Sequence, residues 1–74
     1  MKTINIFKTD VRDQAIAMQI VRYLQAHFAG SRFNFDLDDC DNILRVESPH
    51  SAIAEPEIQA FIANWGHYCE PLPD

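Results

Sequence analysis

Arg32-Phe33-Asn34-Phe35-Asp36-Leu37-Asp38 decides the fold. Phe33, Phe35 and Leu37 alternate with Arg32, Asn34, Asp36 and Asp38, so an extended chain turns its apolar groups one way and its polar groups the other. That period of two describes a strand of an antiparallel sheet with one buried and one wet face. Asp39-Cys40-Asp41-Asn42 is turn chemistry. Ile43-Leu44-Arg45-Val46-Glu47 then returns as a partner strand with Leu44 and Val46 inward. The two runs predict a hairpin.

Upstream the period changes. At about 100° per residue, Ile16, Ala17, Ile20, Val21, Leu24 and Phe28 share one arc, with Arg12, Gln19, Arg22 and Gln25 on the opposite side. This predicts an amphipathic helix running to Phe28. Asp10 is its expected N-cap, and Asp13 sits in the first turn, where negative charge suits the helix dipole. His27 lies near the last turn, where a protonated ring favours the other end of that dipole. Gly30, in Ala29-Gly30-Ser31, is expected to be left-handed and to stop the helix. A first strand is predicted over residues 3–8, Ile4, Ile6 and Lys8 alternating with Thr3, Asn5 and Phe7.

Downstream, Ser48-Pro49-His50-Ser51 reads as a loop. Pro56 opens a second helix at a first helical position, Ile58, Phe61, Ile62 and Trp65 share its inner face, and Gly66 closes it. His67-Tyr68-Cys69-Glu70 reads as a short last strand, and Pro71 and Pro73 are expected to end regular structure. The whole is an α+β domain spanning 1–74, of β-α-β-β-α-β order. That is the order of a ferredoxin-like sandwich, an antiparallel sheet with two helices on one face.

The ending Gly66-His67-Tyr68-Cys69-Glu70-Pro71-Leu72, the Ile20/Leu24 helix pattern, the Gly30 break and the Phe33-Phe35-Leu37 strand together resemble the heavy-metal-associated domain family. This is the fold of small copper chaperones and of the metal-binding modules on copper-transporting ATPases. The resemblance covers nearly the whole chain. In that family two cysteines separated by two residues, in the loop between the first strand and the first helix, bind a soft metal ion. Aligned on the helix, those positions fall here at Asp13 and Ile16. Copper(I) needs soft sulfur ligands, and neither residue supplies one. The resemblance therefore implies the scaffold without its chemistry, and no cofactor is expected.

Composition narrows the rest. Hydrophobic content of 47% with eight aromatic residues suffices for a packed core and argues against disorder. A net charge of −5 makes nucleic acid and anionic membrane poor partners. The six basic residues, Lys2, Lys8, Arg12, Arg22, Arg32 and Arg45, are scattered rather than clustered. No run approaches the roughly 20 apolar residues of a membrane span. The start Met1-Lys2-Thr3-Ile4-Asn5-Ile6-Phe7 has no signal-peptide pattern. A cytoplasmic location is expected, with Cys40 and Cys69 as free thiols.

Candidate chemistry is sparse. The acidic turn from Asp36 to Asn42, with Glu47 beyond it, superficially matches a calcium loop, but Asp41 stands where such a loop needs glycine. A solvated hairpin tip is the simpler reading. His67 and Cys69, two apart, would face one way on a strand, and with Glu70 or His50 they would offer zinc or copper(II) ligands. Against this, a free cysteine is most often a packing residue. Cys40, among carboxylates, reads as an exposed, unreactive thiol. There is no serine–histidine–acid set, no glycine-rich phosphate loop and no Cys–His pair of catalytic type. The leading reading is a non-enzymatic binding domain for a protein partner or a homodimer, docking through the open sheet face and an edge strand. The alternative is a metal-binding protein using His67/Cys69 or the turn around Cys40.

Overall fold

The structure, a computed structural model, describes residues 3–38, 40–49 and 53–72. Asp39 of the acidic turn, His50 and Ser51 of the expected loop, and Pro73 lie outside them. The elements along the chain are β1 (Thr3–Thr9), α1 (Gln14–His27), β2 (Arg32–Asp36), β3 (Ile43–Ser48), α2 (Glu55–Asn64) and β4 (Cys69–Leu72). The four strands form one antiparallel sheet in the order β2-β3-β1-β4. No helix among the described residues is long and apolar enough to cross a membrane.

Alternation sorts each strand. Phe7, Leu44, Val46 and Phe33 are buried on one sheet face and meet Ala17, Ile20 and Leu24 of α1 and Ile58 and Ile62 of α2 in one core. Ile16, Val21 and Phe28 flank the α1 residues, and Phe61 and Trp65 flank those of α2. Both expected helical stripes are therefore the inner faces. Each fully buried Leu or Ile contributes about 1.5–3 kcal/mol of apolar burial. An aromatic seam joins the helices: Tyr23 packs at a tilt against Trp65 at 5.4 Å, and His27 lies 5.8 Å from Phe61, ring centre to ring centre.

Several boundaries differ from the sequence expectation. β1 runs on to Thr9, whose Oγ1 donates to the Asn42 carbonyl at 2.6 Å and accepts the Val11 N–H at 3.2 Å. Val11 is fully buried as a result. The tie delays the helix, so Asp13 and not Asp10 is the N-cap, accepting from Ala15 N–H at 2.8 Å and Ile16 N–H at 3.3 Å. Arg12 accordingly lies before the helix. β2 ends at Asp36, because its carboxylate accepts the Asp38 N–H and turns the chain. β4 begins at Cys69 and includes Pro71, which an edge strand tolerates because its outer side needs no donor. Gly30 at φ +96° and Gly66 at φ +80° close the two helices in the left-handed region, as expected.

Candidate functional site

Two surfaces bear on function. The first is the β1–α1 loop, where the resemblance expects thiols. Asp13 spends its carboxylate on helix capping there, and Ile16 packs against the core. The remaining acid of the loop, Asp10, reaches across to the approach to β4. It accepts from His67 Nδ1 at 3.0 Å and from the Tyr68 N–H at 2.9 Å. Partial loss of water raises its carboxyl pKa, but the Tyr68 and His67 hydrogen bonds outweigh this and hold it below the usual carboxylate range. Tyr68 Oη donates to Glu70 Oε2 at 2.6 Å, and this bond raises the phenol. The clasp joins the first loop to the approach to the last strand.

The sequence-derived metal ligands fall in three different settings. His67 precedes β4 and pairs with Asp10, so strand alternation does not set it beside Cys69. Cys69 is only 8% exposed and belongs to the core, and burial pushes its thiol up to about 12. Cys40 is exposed in the hairpin turn. Near it Asp41 lies 3.7 Å from Lys8 Nζ, and Asn42 takes φ +46°. Among the described residues no group of three or more His, Cys, Asp or Glu side chains is placed to hold a metal ion.

The second surface is a groove of about 800 Å³ between α1 and β2. Phe33 and Phe35 form its floor, while Ala17, Met18 and Val21 line its wall. Met18 is 66% exposed. Gln25, expected on the wet side of α1, instead lies over the strand. Its Nε2 donates to the Ser31 carbonyl at 2.7 Å, and its Oε1 accepts the Phe33 N–H at 3.0 Å. The Phe33 N–H thus points away from β3. Because strand backbone groups alternate sides, the Phe33 carbonyl and the Phe35 N–H and carbonyl face the groove too. Only Gln25 among the described residues hydrogen-bonds to this edge.

Sequence reasoning missed both the Asp10 clasp and the Gln25 bridge. Neither has a local signal, since each joins residues through tertiary placement. Compared with protein-family models, curated proteins and solved structures, this chain finds no match.

Proposed function

We propose that this chain is a non-enzymatic protein-interaction domain on a ferredoxin-like scaffold of the heavy-metal-associated type, with the thiol site replaced by helix capping. The observation that carries the reading is the groove beside β2, which pairs an apolar floor with outward-facing strand backbone. Such an edge takes an added strand: main-chain hydrogen bonds supply affinity, and alternate side chains supply choice of partner. The element order and the β2-β3-β1-β4 sheet support the scaffold half of the proposal. Asp13 at the position of a family cysteine supports the loss of soft-metal chemistry.

The test is affinity capture by the wild-type chain against a Phe35→Pro variant, with light scattering of each on a sizing column. Proline deletes the one outward N–H that Gln25 does not hold. A partner or second copy kept by the wild type and lost by the folded variant is expected. Identical behaviour, monomeric and unpartnered, rejects the reading. The rival, metal binding by other ligands, draws on the Asp10–His67 pair at 3.0 Å. Titration with copper(I), zinc and calcium would support it through amide shifts confined to that loop or to the turn around Cys40, and unmoved spectra would dismiss it.

A further inference from the structure

We propose that the occupant of the groove is a second copy of this chain, its β2 added antiparallel to β2 about a two-fold axis through Asn34; this rests on the interaction-domain reading above. The strand reads Arg32-Phe33-Asn34-Phe35-Asp36. Turned end over end and laid beside itself, it places Arg32 opposite Asp36 of the other copy at both ends. Phe33 then faces Phe35 of the other copy, and Asn34 faces Asn34. The strand is thus its own complement in charge, with cations meeting anions rather than like meeting like. Oppositely charged and aromatic cross-strand pairs are the pairings that stabilise an antiparallel ladder. Its length matches as well, because the chain turns away after Asp36 at both ends of the shared segment.

The backbone agrees with this register. Phe33 and Phe35 are the residues whose backbone groups face the groove, so opposing them gives a hydrogen-bonded pair on each side of the axis. The Phe35 N–H of each copy meets the Phe33 carbonyl of the other. The remaining Phe33 N–H is held by Gln25, which occupies the place of the incoming Phe35 carbonyl and must swing aside for the full ladder. Gln25 therefore competes with the second copy and sets how tightly it binds. On the helix side, half-buried Phe35 and exposed Met18 become covered. A two-fold pairing of identical edges closes on itself and yields a dimer with one continuous eight-stranded sheet, not a fibre.

Asn34 at the axis forms a non-hydrogen-bonded pair, for which Cα atoms lie about 4.5 Å apart, within disulfide range. Arg32 and its own copy are four positions out of register, about 13 Å apart. The experiment uses the full chain in a Cys40→Ser background at 0.15 M salt. Asn34→Cys is expected to cross-link rapidly on mild oxidation, and Arg32→Cys, the control, is not. Arg32→Asp should weaken dimerisation about tenfold by setting two like-charge pairs opposite. Arg32→Asp combined with Asp36→Arg should restore it, a rescue that loss of folding would not give. Gln25→Ala should tighten it several-fold. Equal cross-linking of Asn34→Cys and Arg32→Cys, or a double variant no better than the single, overturns the proposal. A monomer that still captures a different protein in a Phe35-dependent way overturns the second-copy assignment alone, whereas a monomer that captures nothing overturns the interaction reading with it.

Discussion

The two edge strands of the sheet meet the same problem and handle it differently. Each is approached by a glutamine from the helix above it. Gln25 of α1 bonds the Ser31 carbonyl and the Phe33 N–H next to and within β2, and Gln59 of α2 donates to the Cys69 carbonyl of β4 at 3.2 Å. Two residues after Cys69 stands Pro71, which has no N–H to offer, whereas two residues after Phe33 stands Phe35, which has one. β4 is short, carries proline and has its Cys69 carbonyl bonded by Gln59, so its outer edge offers little to an added strand. β2 is guarded by one movable side chain. The contrast teaches that the open edge is a property of one strand rather than of the fold.

The largest effect expected from testing this contrast comes from the residues that anchor each edge to the core. Phe33, 3% exposed, is the anchor of β2. Phe33→Ala should cost about 3–5 kcal/mol of stability in urea or guanidinium unfolding, because it opens a cavity under the groove. Cys69→Ala, the same operation on β4, removes a single sulfur and should cost about 1–2 kcal/mol. If the two losses were equal, β2 would not be the more heavily anchored edge.

Next in size is the pair of glutamines. Gln25→Ala leaves a strand N–H and a carbonyl without their partner, but the groove admits water, so the expected loss is about 1–2 kcal/mol. Gln59→Ala breaks one bond and should lose about half as much. The sharper readout is hydrogen exchange. In protein dilute enough to be monomeric, the Phe33 amide should exchange much faster in Gln25→Ala, while no β4 amide depends on Gln59 for an acceptor. An unchanged Phe33 rate would mean that Gln25 does not guard the edge in solution.

The core of β2 and β3 and the two helical stripes were legible in the sequence, because periods of 2 and 3.6 residues report directly which side chains turn inward. The first strand was less so. Thr3-Ile4-Asn5-Ile6-Phe7 offers apolar residues on both faces, and Phe7 is chosen for the core because it stands opposite Leu44. Asp10 and Asp13 are the same residue type three apart, and local chemistry suits either as a cap. The choice is made by Thr9, which bonds the distant Asn42 and holds the chain extended for longer. Pro71 reads as a terminator until β4 is known to be an edge. Gln25 was unreadable for the same reason: a glutamine beside an apolar stripe is ordinary, and its strand partner follows a helix end and a turn. The complementarity of Arg32-Phe33-Asn34-Phe35-Asp36 lay in plain sequence, yet it bears on pairing only once the outer side of β2 is found to be an edge of the sheet.

The smallest effect concerns the clasp between the end of β1 and the approach to β4. Asp10 is exposed, so its hydrogen bonds to His67 and Tyr68 should be worth under about 1 kcal/mol in total. Their signature is the pH dependence. The folded state holds the Asp10 carboxyl below its unfolded value, so folding favours the carboxylate. The resulting stability is complete above the unfolded value and is lost as pH falls through the folded one. Asp10→Asn keeps an oxygen to accept the Tyr68 N–H but has no proton to gain, so it should flatten the acid limb of the stability curve while costing little near neutrality. Asp10→Ala also flattens the limb and in addition frees the Tyr68 amide, whose exchange should quicken. An Asp10→Asn curve as steep in acid as the wild type would assign the acid loss to other carboxylates.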